Sequence, residues 1–194
     1  MEAGYSAGEL RLRVRQGHWL RLSRDMYVDP LEWPANEAPW DRARRVHVLT
    51  TRAVADRLGP DAVVSHQSAA VLHGLPTWGL DLSGVHVTRP AKRTRRDRIT
   101  TVHRSPVDAE EITEVDGIRV TSPARSIAET TCATSYEVGV VLADAALHLE
   151  LATPDELVSA ADRHKHWPGS PRARGLLFQV PGCQIWSRLT AHRR

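Results

Sequence analysis

The chain has 194 residues, with 26 Lys plus Arg against 23 Asp plus Glu, 10 His, 2 Cys, 41% hydrophobic and 25% charged residues. That length and apolar fraction suit one core-forming domain, alone or with a small appendage, and exclude disorder throughout. The net charge of +3 hides segregation: residues 1–24 carry five Arg and two Glu, residues 89–104 six Arg, one Lys and one Asp, residues 105–162 two Arg and twelve acids, and residues 163–194 seven bases and no acid. Basic blocks attract polyanions, and acidic blocks repel them or receive a basic partner.

The first segment is dense in local signals. Ser6-Ala7-Gly8-Glu9 has the form of a capping box, flanked by Tyr5 and Leu10 as a hydrophobic staple. The pattern predicts a helix from about Ala7 to Gln16, stopped at Gly17. Leu10 and Val14 share one face, and Arg11 and Arg15 the neighbouring one. Two short alternating runs follow, Trp19-Leu20-Arg21-Leu22 and Met26-Tyr27-Val28, around a Ser23-Arg24-Asp25 turn, which predicts a hairpin. An Arg-bearing helix running into an Arg-bearing hairpin has the order of recognition helix and wing in a winged helix-turn-helix. A helix fits the major groove while flanking bases neutralise phosphates. The competing reading is a surface helix with a solvated Arg face beside an unrelated hairpin, and spacing alone does not choose between them.

A Pro-containing linker covers residues 30–39. The spacing then predicts a helix over Asp41–Leu58, a short run at Ala62-Val63-Val64, and a small-residue helix over Ser65–Gly74. Strands are expected at Gly84–Thr88 and Ile99–His103. Between those strands Arg89, Lys92, Arg93, Arg95, Arg96 and Arg98 fall within ten residues. This block is a candidate second nucleic-acid contact or, equally, a charged solvated loop. Asp116-Gly117 between Glu111–Val115 and Ile118–Val120 predicts a tight hairpin. Three helices follow, opened by Ser122-Pro123, by Thr134 with Glu137 as a capping box, and by Thr153-Pro154-Asp155-Glu156. The expected class is α+β: a partial winged helix-turn-helix over 1–29, linker 30–39, a mixed α/β domain over 40–166, and a basic tail over 167–194 without regular order.

Catalytic motifs are not found. Carboxylate–lysine nucleases place an acid two residues before a Lys, but Pro90 and Arg163 precede Lys92 and Lys165. Neither GxxxxGK[ST], GxGxxG nor GxSxG occurs, and Gly169-Ser170 lacks the paired aspartates of a nucleotidyltransferase. His66 and His73, seven apart, stand about 10 Å from each other along a helix, too far for one ion. They are expected to be buried side chains bonded to local backbone, with Asp81 or Ser68 as open partners. His164-x-His166 meets Cys183 only if the tail folds back. The expectation is therefore a non-enzyme with no metal and no cofactor. No apolar run approaches the roughly 20 residues of a membrane span, and Met1–Glu9 lacks the regions of a signal peptide, so a cytoplasmic protein without membrane partners is expected.

The residues Gly4-Tyr5-Ser6 through Glu9-Leu10, Gly17-His18-Trp19-Leu20-Arg21-Leu22, Tyr27-Val28, Ser65-His66-Gln67-Ser68-Ala69-Ala70 with Leu72-His73-Gly74-Leu75-Pro76, Val85-His86-Val87-Thr88, and Asp116-Gly117 with Val120-Thr121-Ser122-Pro123-Ala124-Arg125 occur in an order that resembles the AbiEi family of antitoxins from type IV toxin–antitoxin systems, in its actinobacterial form. The likeness spans about residues 4–165. It implies a winged helix-turn-helix that binds the operon's own promoter, with Ser6, Arg11, Arg13, Arg15, Arg21 and Arg24 where DNA contacts fall. It also implies a body after residue 40 that counteracts a nucleotidyltransferase toxin encoded nearby. Such relatives begin with two further helices and often continue into a Vsr-like endonuclease domain, so both ends of this chain read as interrupted. Two alternatives stand beside this one: an interaction module without DNA affinity that docks a basic partner on residues 105–162, and the regulatory remnant of a Vsr-like nuclease.

Overall fold

The computed structural model describes residues 4–23, 26–29, 33–34, 36–90, 95–96 and 99–177. It is α+β. The order is α1 (Ala7–Arg15), β1 (Leu20–Ser23), β2 (Met26–Val28), α2 (Pro39–Ala55), β3 (Val63–Val64), α3 (His66–Leu72), β4 (Val85–Arg89), β5 (Arg95–Arg96), β6 (Thr100–Arg104), β7 (Ile112–Val115), β8 (Ile118–Thr121), α4 (Pro123–Ala133), α5 (Tyr136–His148), α6 (Pro154–Arg163) and α7 (Ser170–Leu177).

Local chemistry sets many of these boundaries. The Ser6 hydroxyl accepts from the Glu9 N–H, and the Glu9 carboxylate accepts from the Ser6 N–H at 2.7 Å, so both orphan donors are satisfied. Gly17, at φ +75°, closes α1 by letting the His18 N–H reach the Arg13 carbonyl at 3.0 Å. Thr153 and Glu156 repeat the capping box at α6. The expected cap of α5 is one residue out: Ser135, not Thr134, accepts from the Val138 N–H. The reason is that the Thr134 hydroxyl donates to the Thr130 carbonyl at the end of α4, and a hydroxyl committed backwards does not cap forwards. The expected stretch without order after Trp167 opens instead with α7, which packs against α4, α5 and α6.

β1 and β2 form an antiparallel hairpin, and six strands form one mixed sheet in the order β5-β6-β4-β3-β8-β7. β4 runs parallel to β6 and β3 parallel to β8, while the remaining pairs are antiparallel. Side chains alternate along a strand. Val85, Val87 and Val102 therefore share one face with Val64, Ile118 and Val120, packed against Val54, Ala55 and Leu58 and against Ala69 and Leu72 of α3. His86, Thr88 and His103 point to the other face. A second apolar cluster holds α3 to the C-terminal helices through Leu75, Ile127, Leu142 and Leu157. Each of these side chains, at 0–1% exposure, contributes about 1.5–3 kcal/mol by burial. No helix among the described residues is long and apolar enough to cross a membrane.

Candidate functional site

The sequence points first to the N-terminal unit. None of the α1 residues is buried. Arg11, Arg15 and Arg21 are exposed, and α2 packs behind β1. An aromatic latch joins helix to hairpin: Tyr5 meets Trp19 edge-on at 5.1 Å between centroids, and Trp19 leans on Tyr27 at 6.1 Å. The Arg13 guanidinium lies 4.9 Å from the ring centroids of both Tyr5 and Trp19. Arg13 is thus half-buried and spends its charge on the two rings, whereas Arg11 and Arg15 face outward. Ser6 is occupied by the α1 cap, and the Arg21 guanidinium sits 5.9 Å from the Tyr27 ring. Arg24 lies outside the described residues.

The second basic block is only partly visible. Arg89 is exposed at the end of β4, and Arg95 and Arg96 form the short edge strand β5, pairing with Val102 and Thr101. Lys92, Arg93 and Arg98 lie outside the described residues. Arg95 and Arg96 are therefore held by a sheet edge, not by a free loop.

A further constellation sits under the polar face of the sheet. His66 follows Ser65 at the turn from β3 into α3 and has φ +53°, a left-handed conformation that costs a residue with a Cβ of order 1–3 kcal/mol. Its N–H donates to Glu129 Oε2 at 2.9 Å, which holds the turn. The same carboxylate oxygen lies 3.6 Å from His66 Nδ1 and accepts from the Thr121 hydroxyl. Glu129 Oε1 accepts from Arg125 Nε at 2.9 Å. Arg125, only 1% exposed, also bonds Glu111 and, at 3.0 Å, the Pro106 carbonyl. Burial pushes the Glu111 carboxyl up, but His164, 3.5 Å away, and the Arg125 guanidinium outweigh it and bring it to about 2.

Two more histidines meet His66. His86 on β4 and His103 on β6 are diagonal neighbours, because His86 registers with Thr101 and Thr88 with His103. His86 Nδ1 and His103 Nε2 are 2.8 Å apart, and the His66 and His103 rings stack at 3.7 Å. Desolvation lowers all three imidazoles below the ordinary histidine value. It carries His66 well down with help from the neighbouring positive groups, and His86 to about 3. Gln67 Nε2 lies 2.9 Å from His86 Nε2, while Gln67 Oε1 is buried without a partner.

These placements correct the sequence expectations for histidine. His73 is separate from this cluster and bonds a distant carbonyl, Thr121 O, at 2.8 Å. Ser68 bonds His47 Nε2 and accepts from the His86 N–H. His66 meets Ser65 Oγ and Glu129, not Ser68 or Asp81. Sequence spacing compared His66 only with His73, whereas its partners come from residues 86 and 103. The one local signal that marks it is a histidine in a strand-to-helix turn.

No protein-family model matches the chain, and no curated protein does.

Proposed function

We propose that the chain is a cytoplasmic, non-enzymatic DNA-binding autoregulator and antitoxin of the type IV kind. In this reading it binds its own promoter and counteracts a nucleotidyltransferase toxin encoded nearby. The observation that carries the DNA-binding half is the geometry of α1 and its hairpin. Arg11 and Arg15 lie four residues apart on an unburied helix, and the Tyr5–Trp19–Tyr27 latch ties that helix to an Arg-bearing hairpin. Exposed guanidiniums at a fixed spacing on a helix and adjacent hairpin suit phosphates on the two sides of a groove. The antitoxin half rests on the family resemblance of the body, residues 40–166.

In a gel-shift titration against the DNA upstream of its reading frame, the chain should prefer that duplex over random sequence at moderate salt. Arg11→Ala and Arg15→Ala should each weaken binding to all sequences alike and reduce the slope of log affinity against log salt by about 1. Equal affinity for the promoter and for random duplex would remove the regulator role.

One observation favours a second reading. A cleft of about 330 Å³ is lined by Glu110, Glu111, Asp155 and Glu156 from the acidic block, together with Arg125 and Arg163. A basic protein segment suits that lining. Co-purification with the neighbouring gene's product, without any DNA affinity, would make the protein-binding role the main one.

A further inference from the structure

We propose that His66, His86 and His103 form a binding site for one borderline divalent transition-metal ion of the zinc type. One ring nitrogen from each lies within 4.8 Å of one from each of the others. Three nitrogens converging from three separate elements match the donor set of zinc sites that keep a fourth position open.

The surroundings favour the ion over three unligated rings. Neutral imidazole offers an in-plane lone pair to a metal ion, and the strand-to-helix turn, β4 and β6 each bring one such ring to the same point. His66 turns Nδ1 toward Ser65 Oγ at 3.0 Å and Glu129 at 3.6 Å, which leaves Nε2 for the ion. A partner on the other ring nitrogen orients a ligating histidine, and here Ser65 Oγ, 3.0 Å from Nδ1, is that partner. The left-handed backbone of His66 is strain spent on presenting this one ring.

Gln67 supplies an independent sign. Its amide nitrogen faces His86 Nε2, and its buried oxygen has no partner. The oxygen and nitrogen of an amide are assigned by their hydrogen bonds. An ion on His86 Nδ1 places the proton on Nε2, and the reversed amide then accepts that proton through the oxygen that is now orphaned. The exchange gives up the 3.3 Å bond to the Asp81 carbonyl. His86 and Gln67 also line a cleft of about 440 Å³ with Asp81, Thr101 and Trp78. The cleft provides a route of entry and a water for the fourth position.

Closing on one ion requires the rings to turn, because the three nitrogens are gathered only to within 4.8 Å and the His66 and His103 rings now stack face to face at 3.7 Å. Zn–N bonds of about 2.0–2.1 Å hold tetrahedral neighbours about 3.4 Å apart, against 2.8 Å between His86 Nδ1 and His103 Nε2. The ion replaces the proton between those two atoms and spreads that pair by about half an ångström, while His103, more exposed than His66, rotates out of its stack on His66 so that both rings can point a nitrogen at the ion.

The test uses the full chain, stripped with chelator and titrated with Co²⁺ alone, then with Zn²⁺ in competition. One equivalent of Co²⁺ should give tetrahedral d–d bands that Zn²⁺ abolishes. His86→Ala and His103→Ala should each remove the bands. Gln67→Ala should weaken binding about 10–100-fold, and His148→Ala and His166→Ala, on exposed histidines, should leave it unchanged. Because the ligand variants risk misfolding, X-ray absorption of the Zn²⁺-loaded wild-type chain gives the second readout, with three imidazoles and one oxygen expected. No stoichiometric Co²⁺ bands, bands that survive in folded His86→Ala and His103→Ala, or a zinc shell with fewer than two imidazoles would each overturn the site. DNA affinity is measured separately with chelator present, so failure here leaves the promoter reading to its own test.

Discussion

Replacing Arg125 with methionine keeps most of the side-chain volume and removes the guanidinium from the most buried ionic network in the described structure. In the native protein that group bonds Glu129 at 2.9 Å, Glu111, and the Pro106 carbonyl at 3.0 Å, and stands 5.6 Å from the Trp167 ring. Its loss strands Glu129, which is fully buried, with the His66 N–H and the Thr121 hydroxyl as its remaining donors among the described residues. Breaking a buried pair by removing one partner costs about 3–5 kcal/mol. That is a large share of the about 5–15 kcal/mol that holds a domain folded. At about 2–4 °C per kcal/mol for a chain of this size, Tm should fall by about 6–20 °C.

The double variant Arg125→Met/Glu129→Met also removes the stranded charge, although the His66 N–H then loses its acceptor. The two substitutions should therefore be non-additive by about 0.5–3 kcal/mol, the double variant being more stable than the sum of the singles requires. Urea unfolding followed by far-UV circular dichroism, with chelator present throughout, measures both quantities. A cost below about 1 kcal/mol for Arg125→Met, or strict additivity, would refute the idea that a desolvated charge pair holds this region.

Acid should destabilise the fold before the carboxylates titrate. His47 Nδ1–H donates to the Leu82 carbonyl and Nε2 accepts from the Ser68 hydroxyl, each at 3.0 Å, and burial lowers both His47 and His73 from the ordinary 6.5. The unfolded chain takes up those protons near pH 6.5 and the folded chain does not. Stability is therefore full above that pH and declines as pH falls below it, by up to about 1.4 kcal/mol per pH unit for each fully protected ring. Glu111, held at about 2, adds its loss only below its ordinary 4.5. Urea midpoints at pH 7.5 and 5.5 check this, and equal midpoints would contradict it. Gly79→Ala should cost about 1–3 kcal/mol, because φ is +70° and the new Cβ would meet Val138 Cγ2 at 2.7 Å. A calorimetric Tm within 1 °C of wild type would argue against this.

The parts of the molecule legible from sequence are those whose chemistry closes within a few residues. The Ser6–Glu9 and Thr153–Glu156 boxes, the Gly17 stop and the Asp116-Gly117 turn each need partners only two to five positions away. β-branched runs likewise marked β4 and β6, and the start signals at Ser122, Thr134 and Thr153 marked α4, α5 and α6, whereas α7 was not expected. Even there, neighbours competed: the Thr134 hydroxyl is drawn back to Thr130, and the cap of α5 passes to Ser135. The order of α1 and its hairpin was readable, but which arginines face outward was not. The share of Arg13 depends on where Tyr5 and Trp19 place their rings.

The polar centre belongs to the tertiary structure alone. His66, His86, His103, Arg125 and Glu129 come from a strand-to-helix turn, two parallel strands and a helix, and no spacing between them has a period. Parallel pairing of β4 and β6 puts His86 and His103 on one face, and α4 carries Glu129 beneath His66. Local propensity determines elements, whereas desolvation and long-range register decide which polar groups must meet. The charge blocks and capped helices were therefore written in the sequence, and the histidine cluster arose only when the sheet closed over it.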